Sequence, residues 1–244
     1  MPTRTPIFDI PYLISNENLR RTVATTPNAR RVLTICGSGD QALFYTLGGA
    51  TTVDTFDINI NARTIQDIKT AAIKVLPYEK YMPFLQDLYC HAAPIPAQIL
   101  TNLPTHSATE APHLHFRNNI GESDKNKLPT AAEYARLQAT LHQQFNFINA
   151  DLAEIHTRTD SKYDVINISN IFDINYISDI KQQIQILQNL TPLLNINGTI
   201  VYNNQAGYTY AENATLSCQN GMTLRHRSIM LNSINRLNLF QRIR

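Results

Sequence analysis

The stretch Val32-Leu-Thr-Ile-Cys-Gly-Ser-Gly-Asp-Gln41 constrains the chain more than any other. A β-branched apolar run breaks there into a glycine-rich turn, and a helical pattern starts near Asp40. In a strand–turn–helix unit, glycines such as Gly37 and Gly39 let the backbone pass close to a ligand. The first helical turn leaves amides without intrahelical partners beside it. The next strand, Thr52-Val-Asp-Thr-Phe-Asp57, ends on a carboxylate about 20 residues further on, the distance at which such units hold ribose hydroxyls. The spacing of Gly37, Gly39 and Ala42 also occurs in purely structural turns, so the two segments together, rather than the glycines alone, point to a nucleotide or nucleoside ligand.

The rest of the chain repeats the alternation. A helix is expected over Ala62–Leu76, with Ile65, Ile68 and Ala72 on one face and Lys69 and Lys74 among the others, closed by Pro77. Strands are expected at Phe145–Asp151, Lys162–Ile171 and Thr199–Tyr202, with a helix between the last two marked by Ile180, Ile184 and Leu187. Ala211–Asn220 reads as a helix, and Met222–Ile229 with Leu237–Ile243 as a closing antiparallel pair. Strands separated by helices imply an α/β, Rossmann-like fold: a mostly parallel seven-stranded sheet with a C-terminal antiparallel pair. One domain over 1–244 is expected, with a lid segment at 1–30 and a cap insertion at about 77–128 whose periodicity fails beyond 92. The lid, with Ser15 as a capped helix start, either presents Tyr12, Asn16 and Glu17 to a ligand or covers the sheet edge.

With 43% hydrophobic residues in 244, the chain can bury a full core. Its net charge of +2 has no basic track interleaved with aromatics, so no nucleic-acid partner is expected. Neither a signal sequence nor an apolar run of about 20 residues is present, which suggests a cytoplasmic location without an integral membrane span. Three separated cysteines suggest neither disulfides nor a metal site. His91, His106, His113 and His115 fall in the irregular insertion without acidic or cysteine companions, and no metal is expected.

In an open parallel sheet, ligands sit outside the carboxyl ends of the strands. Four consecutive strand ends here carry small, amide or acidic residues: Gly37-Ser38-Gly39, Asp57, Asp151 and Ser169-Asn170. Such residues are costly in a core, although Asp57 and Asp151 could also cap helices.

The run Val32–Gln41, then Phe56-Asp-Ile-Asn59, Ile68-Lys-Thr-Ala-Ala-Ile-Lys-Val-Leu76 and Tyr163-Asp-Val-Ile-Asn-Ile-Ser-Asn-Ile171, resembles the S-adenosylmethionine:diacylglycerol 3-amino-3-carboxypropyl transferase family and its short bacterial relatives. The resemblance covers roughly 30–90 and 145–205. It implies a class I methyltransferase-like fold with S-adenosylmethionine as co-substrate: Gly37, Ser38 and Gly39 beside the methionine moiety, Asp57 and Asn59 at the ribose, Asp151 and Leu152 at the adenine, and Ser169 near the sulfonium. Cys36 stands where many such enzymes carry an acid, so the methionine amino group needs another partner.

The reaction implied is transfer, or cyclisation, of the aminocarboxypropyl chain with release of methylthioadenosine. Methyl transfer to a small molecule and a non-catalytic sensor are the alternatives. Both transfers need in-line positioning and removal of an acceptor proton. Asn170, Asp173, Tyr12 and Tyr208 are the catalytic candidates, with Tyr202 a further one that could equally pack within the sheet.

Overall fold

Alternation along the apolar strands sets the layers. Val32, Val165 and Val201 point to one side of the sheet and Leu33, Ile166 and Ile200 to the other, each buried. Buried on both faces, such strands read as near-continuous apolar runs, and each Leu or Ile removed from water contributes about 1.5–3 kcal/mol. The computed structural model describes residues 13–15, 17–91, 94–111, 114, 127–141, 145–172, 177, 179–204, 215–217, 222–230 and 236–243.

In chain order the elements are α1 (Leu19–Ala24), β1 (Arg31–Ile35), α2 (Asp40–Leu47), β2 (Thr52–Asp57), α3 (Ile60–Val75), α4 (Tyr78–His91), α5 (Ala97–Leu100) and α6 (Thr105–Glu110). There follow α7 (Ala131–Thr140), β3 (Asn146–Asn149), β4 (Tyr163–Asn167), α8 (Ile180–Leu190), β5 (Leu194–Asn204), β6 (Thr215–Ser217), β7 (Thr223–Met230) and β8 (Arg236–Arg242). The sheet order is β3-β2-β1-β4-β5-β8-β7-β6. The first five strands are parallel, with Val32 level with Val53 on one side and Val165 on the other. β8, β7 and β6 follow antiparallel. The order reverses between β1 and β4, which opens a crevice at their carboxyl ends.

The expected doubly wound sheet and its antiparallel pair are therefore present, extended by one short strand. That strand corrects the helix expected over Ala211–Asn220: Thr215–Ser217 pairs with Thr223–Arg225 instead. In β5 the register slips opposite Tyr163–Val165. Gly198 is required there, since a Cβ would stand 2.9 Å from the carbonyl oxygens of both Asn195 and Tyr163.

α3 is buried nearly all round, because α5 and α6 from the insertion pack on it and Ser107 Oγ donates to Asp67 at 2.6 Å. The irregular insertion thus holds two short helices that cover α3. Pro77 stops α3, and its last carbonyls are met from α7: the Tyr134 hydroxyl donates to Leu76 O at 2.9 Å and Gln138 Nε2 to Ile73 O and Leu76 O.

At the N-terminal end the helix cap is Asn18, whose side chain accepts from Arg21 N, rather than Ser15. Arg20 of α1 reaches α7, the segment before it and α2. It makes a two-pronged bond to Glu133, donates to Leu128 O at 2.7 Å and lies over the Phe44 ring. Glu133 also closes a capping box with Thr130, so this one contact ties α1 to the start of α7. Among the described residues no helix is long and apolar enough to cross a membrane.

Candidate functional site

β1 ends at the crevice. Cys36 N donates to Phe56 O at 2.7 Å, which keeps the chain on β2 for one residue more, and Gly39 N then closes a turn onto Cys36 O. Gly37 (φ +50°) and Gly39 (φ +78°) both take left-handed conformations. Their surroundings differ. A Cβ at Gly39 would meet Gln66 Cα at 2.9 Å, so that glycine lets α3 pack against the turn, whereas a Cβ at Gly37 has no neighbour nearer than 3.9 Å. The turn is tight on the α3 side and open at Gly37.

Cys36 is fully buried, donates to Gln66 Oε1 at 2.7 Å, and has a thiol pushed well up by burial and by the nearby Asp57 and Asp67 carboxylates. It serves as a packed residue there, not as a nucleophile.

Asp57 ends β2. One carboxylate oxygen accepts Gly37 N and the other Asn59 N, each at 2.9 Å, so the second strand end is tied to the glycine turn. Burial raises its pKa, and the backbone N–H bonds work against that. Ile58 supplies a third backbone bond, so of a carboxylate's about four lone-pair sites one remains. Asn59 caps α3 by accepting Asn61 N. Ile58 and Ile60, on either side of it, are 55% and 42% exposed, two of the few large apolar side chains left in solvent. Asp151, at the end of β3, accepts Ala153 N, and Leu152 is buried in the core on the α8 side.

Beneath the turn lies an ion pair not foreseen from the sequence. Asp40 Oδ1 and Lys69 Nζ are 2.6 Å apart with both side chains about 1% exposed. The other oxygen of Asp40 accepts Ser38 Oγ and Ser15 N, each at 2.8 Å. Lys69 therefore corrects the reading that put it on a polar face of α3. A signal was there: Ile65, Ile68, Lys69 and Ala72 fall at i, i+3, i+4 and i+7, so the lysine interrupts the apolar stripe itself. Burial lowers the Lys69 pKa, and Asp40 opposes that shift. Ser38 is buried with its hydroxyl on Asp40.

At the end of β4, Ser169 takes φ +55°. Its N–H is received by Asn167 Oδ1, its carbonyl receives Asn203 N, and its hydroxyl donates to Glu17 Oε1 at 2.5 Å. Asn170, half-buried, presents Oδ1 3.3 Å from the same hydroxyl. Glu17 thus meets the carboxyl end of β4, inside the sheet rather than at its edge.

Tyr202 is buried, stacked on Phe240 and edge-on to Phe172. Tyr12, Asp173 and Tyr208 lie outside the described residues, as do His113 and His115. No cluster of three or more metal-ligating side chains occurs among the described residues.

No protein-family model matches the sequence, and no curated protein does. Solved structures do match. The rRNA methyltransferase aviRa from Streptomyces viridochromogenes is similar over 91% of this chain and 82% of its own, at 11% identity and a TM-score of 0.50. The N-methyltransferase NodS from Bradyrhizobium japonicum WM9, in complex with S-adenosyl-L-homocysteine, is similar over 93% and 84%, at 11% identity and a TM-score of 0.45.

The expectation of no nucleic-acid partner has to be corrected, because an rRNA methyltransferase is among the chains that share this architecture. A net charge summed over the whole chain does not report the potential of one face. The sheet order, the glycine turn at its switch point and the likeness to aviRa together establish a Rossmann-like fold of the class I methyltransferase type.

Proposed function

We propose that the chain binds S-adenosylmethionine across the carboxyl ends of β1, β2 and β4 and transfers a substituent of its sulfonium to an acceptor. The observation that carries this reading is the bond from Gly37 N to the Asp57 carboxylate. It couples the open glycine turn to an acid that keeps an acceptor site for a ligand, at the sheet's switch point. In this reading Asp57, with Asn59 beside it, receives the ribose hydroxyls. Asp151 and Leu152 border the adenine, and the exposed Ile58 offers it an apolar face. Gly37, Ser38 and Gly39 pass under the methionine moiety, while Ser169 and Asn170 stand toward the sulfonium.

Methyl transfer is the better supported reaction, since similar folds belong to methyltransferases. The methyl carbon forms a bond to the acceptor as its bond to sulfur breaks, and the acceptor proton leaves to a base or to water. The protein's part is alignment and shielding of that displacement. The acceptor is a small molecule or a nucleic acid. Aminocarboxypropyl transfer is the second reading. It rests on the sequence resemblance alone, whose glycine-Asp turn and lysine-bearing helix meet through Asp40 and Lys69. Asn170 is the described candidate for orienting the acceptor, and Tyr12, Asp173 and Tyr208 are further candidates from the sequence.

Calorimetric titration with S-adenosyl-L-homocysteine tests the binding half. Asp57→Ala is expected to weaken binding at least 100-fold, and unchanged affinity sinks the ribose assignment.

A further inference from the structure

Glu17 is the one buried carboxylate among the described residues with an oxygen that has no hydrogen-bond partner. Its Oε1 accepts the Ser169 hydroxyl, whereas Oε2 is shut off from solvent and unbonded. The groups around it come from three elements and a strand-end turn: Ser169 after β4, Asn203 of β5 and Tyr45 of α2, with Asn167 of β4 facing Tyr45. Asn203 Oδ1, Asn167 Nδ2 and the Tyr45 hydroxyl are themselves buried without a partner in hydrogen-bond geometry. Four unmet polar atoms in one spot are unusual in a folded interior, where such groups are nearly always paired. Among the described residues none of the groups around it is a cation. Arg20 of α1 is engaged by Glu133 and Lys69 of α3 by Asp40. Burial correspondingly pushes the Glu17 carboxyl up, against the pull of its hydrogen bonds.

The other acids around the turn are committed. Asp40 is filled by Lys69, Ser38 and Ser15, and Asp57, tied to the glycine turn by backbone amides, is the one assigned to the ribose. Cys36 stands where an acid could have met the amino end of the methionine moiety, and its Sγ is turned to Gln66. Glu17 enters from the other side, two residues after Ser15, whose N–H is held by Asp40 at the start of α2. Its carboxyl meets Ser169 at the carboxyl end of β4, one of the strands that bound the crevice. We infer that Glu17 is the anion that receives the α-ammonium of S-adenosylmethionine, with Asn203 Oδ1 as a second acceptor. An ammonium has three donors and needs acceptors only, which is what Glu17 Oε2 and Asn203 Oδ1 supply. A desolvated carboxylate is stabilised most by a cation that arrives with the ligand.

This inference rests on the S-adenosylmethionine reading, and the experiment separates the two. S-adenosyl-L-homocysteine and its desamino analogue, 5′-(3-carboxypropylthio)-5′-deoxyadenosine, are titrated calorimetrically at pH 8 into the wild-type chain and Glu17→Gln. The wild type is expected to prefer the amino ligand at least 10-fold. Glu17→Gln should lose that preference while binding the desamino analogue within twofold of wild type. Equal losses for both ligands, or no loss for either, overturn the role of Glu17. A wild-type chain that binds neither ligand refutes the S-adenosylmethionine reading instead. If Glu17→Gln shows no cooperative unfolding transition, Glu17→Met takes its place, and Glu17→Asp, which keeps the charge, should retain part of the preference. A preference kept by Glu17→Met overturns the inference equally.

Discussion

Replacing Lys69 with Met tests the structural claim on which the glycine turn depends. Lys69 Nζ lies 2.6 Å from Asp40 Oδ1, and both side chains are about 1% exposed. At that distance and an effective dielectric of about 20 the attraction is about 6 kcal/mol, most of which offsets the desolvation of the two ions. The variant removes the attraction but not the burial of Asp40, which keeps only Ser15 N, Ser38 Oγ and the start of α2. Leaving one partner of such a pair uncompensated costs about 3–5 kcal/mol, against a total stability of about 5–15 kcal/mol for a domain. With a urea slope of about 3 kcal/mol per M, the unfolding midpoint should fall by about 1–1.7 M. The double variant Asp40→Asn, Lys69→Met removes both charges and should recover at least half of the loss. Limited proteolysis should cut the single variant sooner near residue 15, since Ser15 N is held by the same carboxylate. A loss below about 1 kcal/mol, or a double variant no better than the sum of the single changes, refutes the reasoning.

The two turn glycines should respond differently. Gly39→Ala combines left-handed strain with a Cβ 2.9 Å from Gln66 Cα and should cost about 2–4 kcal/mol in chemical unfolding, while Gly37→Ala brings the strain but only an ordinary contact with Gln41 and should cost about 1 kcal/mol. Acid should unfasten the N-terminal clamp. Arg20 holds the Glu133 carboxyl down to about 2, so its stabilisation is full above the unfolded value of 4.5 and is lost as pH falls from there toward 2. With about a fifth of the Glu133 side chain exposed, that contribution is about 1–2 kcal/mol. Glu133→Gln should flatten stability over that window, and a variant whose acid profile matches wild type contradicts the assignment. Glu17 has the opposite sign: its raised value means stability present at low pH and lost as pH rises through it. Glu17→Gln without ligand should therefore be at least as stable as wild type at pH 8, by thermal unfolding.

The parallel half of the sheet was legible because its strands are short apolar runs between helices of clear period, and because glycine and proline punctuate them. Gly37, Gly39, Asp57 and Ser169 could be placed at strand ends for the same reason. What escaped depends on contacts between distant residues. β6 has three residues and exists through its pairing with β7, so local pattern favoured a helix. α5 and α6 have four and six residues, too few to show a period, and they form by packing on α3. Ser15 and Asn18 are both good capping types, and only the fold shows that Ser15 is committed to Asp40. Lys69 looked solvated because a lysine on an apolar stripe makes sense only once its partner 29 residues earlier is in place. Glu17 reaches Ser169 across 152 residues, a contact no local reading could supply.

The most direct test of the account is to incubate the purified chain with S-adenosylmethionine, alone and with small-molecule and RNA fractions of its host, and to identify the nucleoside product by mass spectrometry. The account predicts S-adenosylhomocysteine, dependent on one of those fractions and absent with Asp57→Ala. Methylthioadenosine above the spontaneous background would move the reaction to the aminocarboxypropyl side of the sulfonium. Neither product, together with no calorimetric binding of S-adenosylmethionine or S-adenosylhomocysteine, would contradict the central claim.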